Sequence, residues 1–149
     1  MRITIGSDHG AFELKEFVKT VLEDLKIEVN DVGTFEKNSV DYPDIAEKVC
    51  EEVINGKSER GIVLCGTGIG ISIAANKIKG IRCALCNDVY SAKKSREHND
   101  ANVLAMGGRI LGFGVAEEIV RIWFSTDFDG DSRHKRRVDK ISAIENKSC

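Results

Sequence analysis

Strand-like and helix-like stretches alternate along the whole of this 149-residue chain, and that alternation restricts the fold more than any other feature. Ile3-Thr4-Ile5 ends at the polar turn Gly6-Ser7-Asp8-His9-Gly10. Phe12, Leu14, Phe17, Val18, Val21, Leu22 and Leu25 then keep helical spacing. Ile27 to Val32 alternates as a second strand and stops at Gly33, and Pro43 stands where a first helical turn tolerates it. Ile45, Ala46, Val49, Val53 and Ile54 form the face of that helix. A third strand, Gly61 to Leu64, runs into Cys65-Gly66-Thr67-Gly68-Ile69-Gly70 and a helix to about Lys77. Ile81 to Cys86 and Asn102 to Met106 read as strands four and five. Each is followed by a helix, the second of them from about Gly112 to Phe124, and a basic helix covers about 133–145.

Five short strands, each followed by a helix, predict an α/β chain: a parallel sheet covered by helices on both faces, a three-layer Rossmann-like arrangement. The expected strand order is 2-1-3-4-5, in one domain spanning residues 1–149. Ligands of such sheets bind beyond the carboxyl ends of the strands, where the winding direction reverses. That reversal falls between strands one and three, so Ser7-Asp8-His9-Gly10 and Cys65 to Gly70 are expected to face each other across one crevice.

Composition adds exclusions. A formal charge of -2 argues against nucleic acid or an anionic membrane as partner, although Arg133, His134, Lys135, Arg136 and Arg137 cluster late in the chain. The opening Met1-Arg2-Ile3-Thr4-Ile5-Gly6-Ser7-Asp8 turns polar too soon for a signal peptide, and no apolar run approaches the length of a membrane span. Five cysteines, an odd number set within apolar segments, predict reduced thiols and a cytoplasmic protein.

The glycine turn is the chemically richest segment. Backbone N–H groups at a helix start, in a turn without side-chain bulk, form a pocket for negative charge. Here the pocket opens beside the Cys65 thiol, at a position where a helix N-terminus lowers thiol pKa values; the competing reading is a small buried hydrophobe. Gly66-x-Gly68-x-Gly70 brings its last glycine one residue too early for a dinucleotide fingerprint, while Asp88, about twenty residues on, keeps a nucleotide reading open. Cys83 and Cys86 would point to opposite faces of a strand, so they, like Cys50, read as packing and Cys149 as tail. Asp8 and His9 stand at a strand end, where Asp8 is also placed to cap the next helix. Arg133 and Arg137, four apart, share a helix face suited to a phosphate or simply to solvent. HxxxH, HExxH and GxSxG spacings are absent, so neither a zinc nor a serine hydrolase is indicated.

Taken in order, Gly6-Ser7-Asp8-His9-Gly10, Asp41-Tyr42-Pro43, Cys65 to Lys77, Arg96-Glu97-His98-Asn99-Asp100, Gly107-Gly108-Arg109 and Arg133-His134-x-x-Arg137-Val138 resemble the ribose-5-phosphate isomerase B family, which includes galactose-6-phosphate isomerase subunits. The resemblance covers nearly the whole chain. It implies interconversion of an aldose phosphate and a ketose phosphate without metal or cofactor. It further implies Cys65 as the base between C1 and C2, with His98 and Thr67 assisting ring opening. Asp8, His9 and Asn99 would hold sugar hydroxyls and Tyr42 would border the pocket. The amides of Gly66, Gly68, Ile69 and Gly70 would face the oxyanion, and Arg109, Arg133 and Arg137 would bind phosphate. Some members carry a glutamate base just after the last glycine; here that residue is Ile71, which leaves the task to Cys65. The resemblance also implies a homodimer or tetramer with each pocket shared between subunits and the C-terminal helix at their interface.

The implied chemistry fits the residues. Proton removal α to a carbonyl creates an enediolate oxygen, and fixed N–H donors can steady it by roughly 3–4 kcal/mol each. Arginine-held phosphate fixes the sugar for proton transfer. Ribose 5-phosphate and ribulose 5-phosphate are the expected pair. The alternatives are a hexose-phosphate isomerase, a galactose-6-phosphate isomerase subunit, an isomerase of free aldoses such as allose, or a nucleotide-binding domain without catalysis.

Overall fold

A computed structural model of the chain describes residues 1–147, so Cys149 lies outside the described residues. In chain order the elements are β1 (Arg2–Ser7), a single 3-10 turn (His9–Ala11), α1 (Phe12–Asp24), β2 (Glu28–Asp31), α2 (Tyr42–Ile54), β3 (Arg60–Cys65), α3 (Ile69–Asn76), β4 (Cys83–Leu85), α4 (Val89–Glu97), β5 (Val103–Gly107), α5 (Phe113–Ser125) and α6 (Ser132–Lys147). All five strands are parallel. Among the described residues no helix is long and apolar enough to cross a membrane.

The strand order is β2-β1-β3-β5-β4, which corrects the expected 2-1-3-4-5 at its far end. β5 inserts beside β3, with Gly61 opposite Val103 and Cys65 opposite Gly107. Every residue of β5 is buried, whereas the three residues of β4 are only partly so. An apolar run with no polar face belongs in the middle of a parallel sheet, and a short, half-exposed strand suits its edge.

The swap also moves a helix. Parallel crossovers are right-handed, so a connection that turns back along the sheet must place its helix on the other face. The order 2-1-3-4-5 would put α3 and α4 together. In the structure α2 and α3 bury Ile45, Ala46, Val49, Cys50, Ile71 and Ala75 on one face. On the other, α1, α4 and α5 bury Leu14, Val18, Leu22, Ala92, Ala116, Ile119 and Trp123. Alternation along β3 sends Ile62 and Leu64 into the second layer and Val63 and Cys65 into the first. Each fully buried Ile or Leu in these layers stabilises the fold by ~1.5–3 kcal/mol.

The reversal of winding stays between β1 and β3, and the two polar turns meet there: an atom added at Gly10 would lie 3.2 Å from the Gly66 backbone. α6 crosses the β4 side of the molecule. Its Glu145 Oε1 accepts the Gly80 amide at 2.9 Å, and a cavity of about 800 Å³ lies between α6 and the residues around β4.

Candidate active site

Cys65 is the last residue of β3 and is 5% exposed. The Gly68 amide donates to its Sγ at 3.1 Å, which fixes the thiol against the start of α3. The turn closes this tightly because Gly68 adopts φ 79°, and a side chain there would lie 2.6 Å from Leu85 Cδ1 and 2.8 Å from the Met106 carbonyl carbon. The Ile69 amide donates to Thr67 Oγ1 at 3.2 Å. Two of the amides expected to face an oxyanion, those of Gly68 and Ile69, are therefore already serving side chains of the turn itself.

Around the thiol stand residues from three other segments. Gly108 and Arg109 donate their amides to the carbonyls of Cys65 (2.8 Å) and Gly66 (2.9 Å). That pairing lays the Arg109 side chain over the turn: an atom added at Gly66 would lie 3.4 Å from its Nη1. Tyr42, the first residue of α2, presses its ring on the turn from the other side. An atom added at Gly70 would lie 2.6 Å from its Cζ and 2.8 Å from its hydroxyl. Asp8 is buried, and its Oδ1 accepts the Gly10 amide at 2.8 Å, so it caps the 3-10 turn His9–Ala11 rather than α1, whose own N-cap is Ala11. His9 Nδ1 accepts the Val40 amide at 3.3 Å, which in the neutral ring leaves the proton on Nε2. A cavity of about 260 Å³ opens here, lined by His9, Gly10, Lys37, Gly108, Arg109 and Phe113 among others.

The structure thus brings together Asp8, His9, Tyr42, Cys65, Gly66, Thr67, Gly68, Ile69, Gly70 and Arg109 at the carboxyl end of the sheet. His98, Asn99, Arg133 and Arg137 are elsewhere. His98 caps the end of α4, ahead of β5, and so lies at the amino end of the strands. From Gly61 to Cys65 alone the strand spans about 13 Å. The His98 ring stacks on His134 with centroids 4.1 Å apart and planes 12° apart. Asn99 is exposed, and its carbonyl accepts from Arg82 Nε at 3.1 Å. Arg133 Nη2 lies 3.6 Å from Asp131 Oδ2, and Arg137 is exposed one turn further along α6. Within one chain these four do not reach the thiol.

Other candidates resolve into packing. Burial pushes the Cys50 thiol up to about 12 and the Cys86 thiol up to about 11, and raises Cys83 further. Cys83 packs on one layer and Cys86 on the other, as strand geometry requires. Asp88 caps α4: its Oδ1 accepts the Ser91 amide at 2.6 Å and its Oδ2 the Ser91 hydroxyl at 2.8 Å, bonds that lower its carboxyl pKa. It follows the edge strand, two strand spacings or about 10 Å from β3, and so stands away from the glycine turn. Spacing gives no reason to place Lys37 or Phe113 in the cavity. Lys37 belongs to the polar run Glu36-Lys37-Asn38-Ser39, and Phe113 opens α5 stacked on Phe17 at 4.5 Å.

Residues 3–141 match the Ribose/Galactose Isomerase family. The chain is 46% identical over 144 residues to ribose-5-phosphate isomerase B of Escherichia coli, covering 97% of this chain and 96% of that protein. It is 40% identical to D-erythrulose-4-phosphate isomerase of Pectobacterium atrosepticum, covering 97% and 95% of the two chains. Among solved structures, ribose-5-phosphate isomerase B of Clostridium thermocellum superposes with a TM-score of 0.97 at 52% identity over the whole of both chains. The Mycoplasma genitalium ribose-5-phosphate isomerase B with bound ribulose-5-phosphate superposes with a TM-score of 0.93 at 36% identity, covering 99% and 97%.

Proposed function

This chain belongs to the Ribose/Galactose Isomerase family, and from that premise we propose that it is a sugar phosphate isomerase interconverting ribose 5-phosphate and ribulose 5-phosphate. One observation carries the mechanism: Cys65 ends β3 with the Gly68 amide on its sulfur, and Arg109, which lines the cavity, lies over the adjoining turn. The thiolate takes the proton from C2 of the open-chain aldose, leaving a cis-enediolate, and returns it to C1. The second proton passes between the two oxygens. Hydrogen is only redistributed within one molecule, so the step balances without an electron acceptor.

The remaining roles follow position. Asp8 and His9 hold sugar hydroxyls at the floor of the crevice, Tyr42 borders it and Thr67 assists ring opening. Arg109 meets the phosphate, joined by Arg133 and Arg137. His98 is the proton donor to the ring oxygen, and Asn99 binds hydroxyls. Because one chain carries these last residues at the opposite end of its sheet, a second copy supplies them, in a homodimer or larger symmetric assembly. α6, which bears Arg133 and Arg137, then lies at the subunit interface.

Turnover in heavy water tests the chemistry. Deuterium should enter at C2 or C1 as the sugars interconvert, and Cys65→Ala should lower kcat by about 10³-fold with the fold retained. An alanine variant of near-normal rate would remove Cys65 as base. The relative acting on erythrulose 4-phosphate supports a second reading, a tetrose phosphate substrate. Comparing kcat/KM for ribose 5-phosphate and erythrulose 4-phosphate separates the two.

A further inference from the structure

Lys15 is a charged residue with 0% exposure, on the face of α1 where Leu14 and Val18 are also buried. Burying an ammonium is costly, and an apolar side chain of similar volume would fill such a place at least as well. Its surroundings give a reason for the charge. Lys15 Nζ donates to both oxygens of Asp31, at 2.8 and 2.7 Å, and Lys19 Nζ donates to Asp31 Oδ2 at 2.9 Å. Asp31 Oδ1 also accepts the Gly33 amide at 2.9 Å, which ties the carboxylate to the first residues after β2. Burial alone would raise the Asp31 pKa, but these bonds outweigh it and hold the carboxyl below the usual range.

From there the 32–41 segment is strapped back over α1. Gly33 and Thr34 exchange bonds with the Ser7 backbone, both at 2.7 Å. The Phe35 ring covers the Lys15 ammonium, its centroid 4.8 Å from Nζ, and Phe12 lies on it at 5.6 Å. Lys37 Nζ donates to Glu13 Oε1 at 2.8 Å. The far end of the segment delivers the Val40 amide to His9 Nδ1.

We propose that Lys15 is a positioning residue for His9: paired with Asp31 and capped by Phe35, it fixes the segment whose Val40 amide sets the tautomer and orientation of the His9 imidazole. The inference rests on the proposed role of His9 in holding the sugar. Lys15 touches no substrate and acts through the strap.

The test uses the full-length protein, with nitrogen NMR of labelled histidine and steady-state kinetics on ribose 5-phosphate. In the parent protein His9 is expected as a single tautomer with its proton on Nε2. In Lys15→Met and in Phe35→Ala the His9 signal should move towards a tautomer mixture. KM should rise about tenfold while kcat changes by less than about threefold, the pattern of lost ground-state binding. Folded variants with the parent His9 signal and parent KM would overturn the proposal. Phe35 is 65% exposed, so its substitution decides the matter if Lys15→Met does not fold. The His9 signal needs no substrate: a parent protein inactive on sugar phosphates would remove the proposed reaction, while a shifted tautomer in the variants would still support the strap.

Discussion

Four cysteines in the described residues carry the same thiol and differ in what surrounds it. Cys50, Cys83 and Cys86 sit among apolar side chains, and burial pushes all three thiols up, Cys86 to about 11 and Cys50 to about 12. At pH 8 their thiolate fractions are then about 10⁻³ or less. Alkylation of the native protein with iodoacetamide at that pH, mapped by mass spectrometry, should leave these three unmodified until the chain unfolds. Cys65 instead ends a strand and receives an N–H donor from a turn that only glycine can make. Gly68→Ala would force a side chain onto φ 79° against Leu85 and the Met106 backbone. It should destabilise the protein by about 2 kcal/mol or more in urea unfolding, and slow turnover by displacing the donor from sulfur. Sequence spacing marked Cys65, the glycines and Asp8-His9. It gave no sign of Lys15 or Lys37, because a lysine on a helix or in a polar loop reads as solvated until the chain packed over it is known.

At the scale of elements, hydrophobic periodicity located every strand and helix to within a few residues, since it depends only on neighbours along the chain. Strand order does not. β4 and β5 exchange places because burial on both faces selects the more apolar run for the interior, a comparison between segments far apart in sequence. α4 changes face as a consequence, and Asp88 leaves the neighbourhood of the glycine turn to become the helix cap. Asp88→Ala should therefore lower the urea midpoint of unfolding while KM for ribose 5-phosphate stays unchanged. The link between α1 and β2 has its own pH signature. Asp31 has a folded pKa held below the ordinary aspartate value of 3.8, so its contribution to stability is present above that pH and is lost as pH falls through the lower folded value. Thermal unfolding between pH 5 and 2 should show a smaller acid-induced loss in Asp31→Asn than in the parent.

For the whole molecule, the decisive fact is that one chain holds its proposed site in two halves at opposite ends of the sheet. Asp8, His9, Cys65 and Arg109 lie at the carboxyl end, and His98, Asn99, Arg133 and Arg137 at the other. A shared site predicts complementation. Cys65→Ala and His98→Asn should each be nearly inactive, yet mixed and reassembled in equal amounts they should recover about a quarter of parent activity, because half the dimers are hybrids with one intact pocket of two. No recovery in proven hybrids would mean that the halves do not meet. The sequence by itself determined the α/β class, the switch point between β1 and β3 and the chemistry-bearing turns, all set by local periodicity and by residue types at short spacing. Only the tertiary structure decided the strand order, the face each helix covers, the buried Lys15–Asp31 pair and the separation of His98 from Cys65. Those depend on which distant segments bury each other best, a competition that local spacing does not encode.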